Sequence, residues 1–242
     1  MNKKIILYAL FVLPMLIAFS SCVFSFDGTV GKGSIIEQEF NLSTFNTIEN
    51  LSSAEVSVIK GESLQVLLSD YENLIELWDI KVKDNRLIIQ SKPFSSLINS
   101  KAKVTVILPT ALHGVKVSGS GDVELNGAFP ELDNASISGS GNIKGNVSAD
   151  YSKLNLTIFG SGSINFTGTA DELKAITSGS GKMQLSDLET SDVDCTVSGS
   201  GDMYVHAIKS LKVVITGSGD VVYSGNPIVE VNAMGSGKVR HL

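Results

Sequence analysis

The chain has 242 residues with 19 Lys and Arg against 25 Asp and Glu, a formal charge of -6. An acidic surface is repelled by phosphate backbones and anionic lipid, which argues against nucleic acid as a partner and against purely electrostatic adhesion to membranes. Its two cysteines, Cys22 and Cys195, lie far apart and give no disulfide framework, so stability must come from an apolar core.

Residues 1–21 read as an export signal. Lys3 and Lys4 form a basic start, and residues 5–19 are apolar apart from Tyr8 and Pro14. The run is too short and wrongly flanked for a membrane-spanning helix. It ends in Ser20-Ser21-Cys22. Small residues just before a cysteine resemble the lipobox of bacterial lipoproteins, with Phe19 where an aliphatic residue is usual. Lipidation of Cys22 is therefore expected, with an ordinary secretory cleavage nearby as the alternative. Loss of both lysines takes the charge from -6 to -8 in the mature chain, where residues 22–39 read as a linker.

Residues 40–112 form an N-terminal β cap or a set of degenerate coils. Residues 54–59 and 64–68 read as two strands joined by a turn at Lys60-Gly61-Glu62-Ser63, and 80–83 with 86–90 read likewise around Asp84-Asn85. Residues 71–78 suit a short helix or irregular loop. Residues 101–108 alternate as another strand, ended by Pro109.

Residues 113–242 are organised by a repeat. Gly-Ser-Gly begins at Gly119, Gly139, Gly160, Gly179, Gly199, Gly217 and Gly235, at steps of 20, 21, 19, 20, 18 and 18 residues. Apolar columns accompany it. Four positions before stand Val115, Ala135, Leu156, Ala175, Cys195, Val213 and Val231; two after stand Val123, Ile143, Ile164, Met183, Met203, Val221 and Val239. This period-two pattern marks strands with one buried face, and a small unit at fixed period buries that face by stacking on its neighbours. The expected fold is all-β, a parallel β-solenoid with coils of about twenty residues and a β-rich N-terminal cap. Both glycines of each tripeptide share the parity of the apolar columns. They should therefore face inward, at a sharp bend or where the opposite wall comes close. The serines between them should form an outward ladder of hydroxyls that hydrogen-bond along the column. Cys195, in an apolar column, should be a buried, inert thiol.

The residues that could carry chemistry are few. His113, His206 and His241 have no neighbours at metal-ligand spacing, so no metal or cofactor is expected. The repeated serines lack the partners of a nucleophile, and seven identical nucleophiles have no use. A polysaccharide-processing enzyme would need converging acids. Asp202 and Asp220 are the nearest pair, but the position after the tripeptide (Asp122, Asn142, Ser163, Lys182, Asp202, Asp220, Lys238) reads as a solvated face. Phe159 and Tyr204 fall at outward parity and could stack on a sugar or partner.

The exported leader, Phe45-Asn46-Thr47-Ile48, the segment Lys83-Asp84-Asn85-Arg86-Leu87 and the serial Ser-Gly-Ser-Gly units together resemble the bacterial putative auto-transporter adhesins with a head GIN domain. The resemblance covers roughly residues 40–242 and implies a right-handed β-helix on an envelope protein. It brings no catalytic residues. The expectation is a non-catalytic lipoprotein of the bacterial cell envelope, held at the outer membrane through Cys22, that binds a glycan or surface protein. A polysaccharide-processing enzyme and a purely structural spacer are the alternatives.

Overall fold

A computed structural model describes residues 28–146 and 148–242, so Cys22 lies outside the described residues. The N-terminal part contains β1 (Thr29–Val30), β2 (Ile35–Glu39), β3 (Thr47–Asn50), β4 (Glu55–Lys60), β5 (Gln65–Tyr71), α1 (Glu72–Ile75), β6 (Trp78–Lys83), β7 (Arg86–Ser91), β8 (Leu97–Ile98) and β9 (Lys103–Leu108). The repeat array contains β10 (Gly114–Val117), β11 (Val123–Asn126), β12 (Asn134–Ile137), β13 (Ile143–Gly145), β14 (Ala149–Ile158), β15 (Ser163–Asn165) and β16 (Gly168–Thr177). It ends with β17 (Lys182–Val197), β18 (Met203–Ile215), β19 (Val221–Ser224), β20 (Ile228–Ala233) and β21 (Val239–His241).

The array is the expected parallel β-solenoid. Strands before each tripeptide stack as β10, β12, β14, β16, β17, β18 and β20, all parallel. Strands after it stack as β11, β13, β15, β17, β18, β19 and β21. Every residue of the two apolar columns is buried except Val231 and Val239, which belong to the last coil. Two residues beyond the second column, where Leu125 has its counterpart in Gly145, the Phe166 ring of the next coil fills the space. A Cβ on Gly145 would stand 2.7 Å from that ring.

The tripeptide works differently from the expectation. None of its glycines has a positive φ, so no left-handed bend demands them. What demands them is the coil below. The Gly160 carbonyl accepts both Ser180 N–H at 3.1 Å and Gly181 N–H at 3.2 Å, and Gly179, Gly199 and Gly217 accept in the same forked way from the coils that follow them. The backbones lie so close that a Cβ on Gly179 would sit 2.1 Å from the Gly160 oxygen, and one on Gly199 2.1 Å from that of Gly179. The bonds between coils at this corner therefore run through the backbone, not through serine hydroxyls.

The N-terminal part is both coil and cap. β3 pairs in parallel with β10 on one side and β7 on the other, and β4 likewise with β11 and β9. The chain thus lays down the coil 47–60, adds 86–108 beneath it, then crosses to continue above it. The two strands around Lys60-Gly61 form but do not pair, because β9 lies between them, parallel to β4 and antiparallel to β5. β6 and β7 do form a hairpin, turned by Asp84 (φ 50°) and Asn85 (φ 61°), the left-handed pair that a type I′ turn requires. Antiparallel β5, β2 and β6 finish the outermost parallel strands. The short helix expected within 71–78 is α1.

One buried carboxylate pins the cap. Asp70 is fully buried and accepts from Tyr71 N (2.8 Å), Lys101 N (2.9 Å), Trp78 Nε1 (3.0 Å) and Ser100 Oγ (2.6 Å). These donors tie β5 to β6 and to the approach to β9.

Two substitutions at one corner test the forked bond by urea midpoint. Gly179→Val is expected to cost about 3 kcal/mol, the upper end of overpacking penalties. Ser180→Ala, exposed, should shift stability by less than about 0.5 kcal/mol. Equal shifts would rule out the close-approach explanation. The same titration should move the other way for Thr177→Val. The Thr177 hydroxyl is buried without a hydrogen-bond partner among the described residues, at a position where Val117, Ile137, Ile158, Val197 and Ile215 are apolar, and its loss should gain about 1 kcal/mol.

Candidate functional site

One face of the array is made by the parallel stack of β14, β16, β17, β18 and β20. Their alternation turns Leu154, Leu173, Val193 and Leu211 into the core and sends the residues on either side outward. In-register stacking converts those outward positions into two ladders. One runs Lys153, Glu172, Asp192, Ser210, Ile228, and the other Asn155, Lys174, Asp194, Lys212, Glu230. From Lys174 on, the second alternates in sign from coil to coil, so each of those steps attracts rather than repels. In the first, Lys153 Nζ bonds Glu172 Oε2 at 2.8 Å and Ser210 Oγ donates to Asp192 Oδ1 at 2.5 Å. The hydrogen bond to Glu172 raises the Lys153 pKa. The ladders line a groove of 490 Å³ along the face. It offers closely spaced ammonium, carboxylate and hydroxyl groups that an extended polar ligand could engage.

Sequence reasoning did not single out this groove, although its signal was present. Five positions before the tripeptide stand Lys174, Asp194, Lys212 and Glu230. Strict sign alternation at one column of a stacked array is the mark of a charge ladder.

The residues that were singled out do not converge. Phe159 is 61% exposed, but it sits just before the corner, at the position that Ser138 and Ser178 take in the adjoining coils. Tyr204 lies beyond the corner two coils later, half-buried, with Lys182 Nζ 4.5 Å from its ring centre. Asp202 and Asp220 do stack, but each spends an oxygen on the next coil: Asp202 Oδ1 accepts Asp220 N at 2.9 Å, and Asp220 Oδ1 accepts Lys238 N at 2.8 Å. Arg240 also bonds Asp220 Oδ2. Asp122 and Asn142 do the same, Asn142 Oδ1 taking Ser163 N at 2.9 Å. In the column expected to be a solvated face, Asp122, Asn142, Asp202 and Asp220 thus satisfy corner N–H groups, while every member keeps part of its surface exposed. His113 lies 3.7 Å from Asp133 across the first repeat, and His241 packs on Tyr223.

With this geometry, the chain is a stacked parallel β-solenoid with a charged groove on one face. Residues 44–227 match the family described as "Putative auto-transporter adhesin, head GIN domain". The chain belongs to that family, whose role is adhesin-like and whose place is the cell envelope or the extracellular side. Solved structures repeat the fold. A putative adhesin from Bacteroides fragilis NCTC 9343 is 24% identical with a TM-score of 0.81, covering 89% of this chain and 100% of its own. A putative adhesin from Parabacteroides merdae ATCC 43184 is 24% identical with a TM-score of 0.72, covering 89% and 99%. A protein described as a putative lipid binding protein from Parabacteroides distasonis ATCC 8503 is 22% identical with a TM-score of 0.72, covering 88% and 99%. No curated protein matches the chain.

Cys195 stacks between Ala175 and Val213 in the core. Burial, with Asp194 beside it, pushes its thiol from 9.0 up to about 12. Burial likewise raises Tyr151, packed edge-on against Phe166, from 10.0 to about 12. Both groups keep their proton in the folded state where the unfolded chain has lost it. Their contribution is therefore complete below about pH 9 and is lost as pH climbs toward 12. Urea midpoints should fall across that window, and Cys195→Ala with Tyr151→Phe should flatten the fall. In the folded protein at pH 8, a thiol reagent should leave Cys195 unmodified.

Proposed function

We propose that this chain is a non-catalytic lipoprotein of the bacterial outer membrane that binds an extended glycan along the groove on β14 to β20. The observation that carries the reading is the pair of in-register ladders. They repeat ammonium, carboxylate and hydroxyl groups at about 4.8 Å along the array, a spacing suited to a polymer with regularly recurring hydroxyls. Support for a non-catalytic role comes from Asp202 and Asp220, whose capping oxygens are already bonded to backbone. The anchor rests on Ser20-Ser21-Cys22 after the apolar run, with Cys22 as the lipid-bearing first residue. One acyl chain holds a protein to membranes only marginally, so several are expected on that residue.

A glycan array of the mature chain is the direct test. Lys174→Ala and Asp192→Ala should each weaken the bound glycan about tenfold, the loss of one charge-assisted hydrogen bond, without moving the urea midpoint. Affinity unchanged in both variants would remove the groove from the site. Release of sugar fragments by the pure protein, abolished by Asp202→Asn, would make it an enzyme. Cys22→Ser should empty the membrane fraction of a native-like host.

A further inference from the structure

The cap end carries a second surface, apart from the groove. Lys92-Pro93-Phe94-Ser95 forms a tight turn closed by Ser95 N–H to the Lys92 carbonyl at 3.1 Å. Phe94 takes the position of this turn at which φ is positive, 63°, where glycine or asparagine is usual. Its side chain is fully exposed, at 102%. A bulky aromatic in the left-handed region costs folding free energy, and at this exposure it regains none by burial against the described residues, which points to a role outside the folded chain. Three residues after Phe94, β8 pairs in parallel with β1, setting Ile98 beside Val30. Leu97 packs toward the core, while Ile98 and Val30 stay 44% and 42% exposed. Residues 92–101 contain Lys92 and Lys101 and no acid, against the -6 of the whole chain. Both lysines are exposed.

Position along the chain says what this surface meets. Gly28, at the edge of β1, is six residues from Cys22, a reach of at most about 20 Å. We infer that the Phe94 turn, with Ile98 and Val30, is a membrane-docking face that sinks into the lipid interface beside the anchor. The inference rests on the lipid-anchored reading of Cys22. The exposed aromatic and aliphatic groups enter the apolar boundary, and Lys92 and Lys101 meet anionic headgroups. The solenoid then stands on its capped end, with the groove carried outward by β14 to β20.

The test holds the tether constant, so that the docking face and natural lipidation succeed or fail separately. The mature chain is coupled through the Cys22 thiol to maleimide-headgroup lipid in phosphatidylethanolamine–phosphatidylglycerol vesicles. The buried Cys195 does not compete. Phe94→Trp and, as control, Phe159→Trp place a new indole on the cap or on the repeat array. Bromine-labelled acyl chains should quench the cap indole strongly and leave the control as bright as in unlabelled vesicles. Without the tether, Phe94→Ser should lower vesicle binding about tenfold, the loss of one buried aromatic. Equal quenching at both sites, or a cap indole that stays bright, would overturn the inference. Mass measurement of Cys22 from native membranes decides the anchor alone: an unmodified residue would sink lipidation and leave the vesicle result standing.

Discussion

The carbonyl of the first glycine of the tripeptide, forked at Gly119, Gly160, Gly179, Gly199 and Gly217 and single at Gly139, is the constraint on which the rest of the array depends. One oxygen accepts two N–H groups from the coil above, as Gly160 does from Ser180 and Gly181. That bond fixes the separation of adjacent coils at the corner and leaves no room for a Cβ. Register follows, because a slip of one residue would set a side chain against the carbonyl and turn every apolar column outward. Once register is fixed, the other ladders have no freedom. The columns of Leu156, Ala175, Cys195 and Val213 must stack in the core, and Lys174, Asp194, Lys212 and Glu230 must stack outside it. The groove is thus a by-product of the corner.

A parallel stack also has ends, and the N-terminal end shows how one is closed. β9 and β7 offer unpaired edges that would template aggregation. Antiparallel β5 and β6 take those edges, and β2 then covers β5. Changing strand direction makes the cap unlike any coil, so it cannot propagate the stack. The buried Asp70 carboxylate fits this role. It gathers two backbone N–H groups, an indole and a hydroxyl at the place where the chain passes between coil and cap.

The repeat array was legible because its period is short and its code is redundant: each coil states the same apolar positions, so Thr177 or Gly145 could depart without hiding the pattern. That the tripeptide positions exclude a side chain was also legible, but not the reason, since parity cannot tell an opposite wall from the coil below, whose carbonyl is what the Cβ of Gly179 would meet. The cap was harder. Residues 54–68 look locally like a hairpin, yet β9, more than thirty residues on, lies between the two strands. Local pattern carries no information about such an insertion. The groove was missed for a different cause. Its residues are ordinary charged positions on each strand, and only the sign alternation between coils distinguishes them. Phe159 and Tyr204 drew notice as exposed aromatics, a property of single residues, and nothing in the fold brings them together.

The coil 47–60 has a further consequence, because its neighbours on both faces come later in the chain. Thr47 pairs with Arg86 below and with Gly114 above. Within the array, by contrast, each coil waits only for the next, 18 to 21 residues on. Closing the 67-residue span from Thr47 to Gly114 costs about 1 kcal/mol more chain entropy than closing a 20-residue one. Growth of the array is therefore a run of near-identical, inexpensive steps, and its start is the slow one. β3 and β4 act as a two-sided seed. A chain arriving N-terminus first on the far side of a membrane can pair one edge of these strands with β7 and β9 but must hold the other edge open until residue 126 has followed. From then on, the remaining coils add in the order in which they arrive.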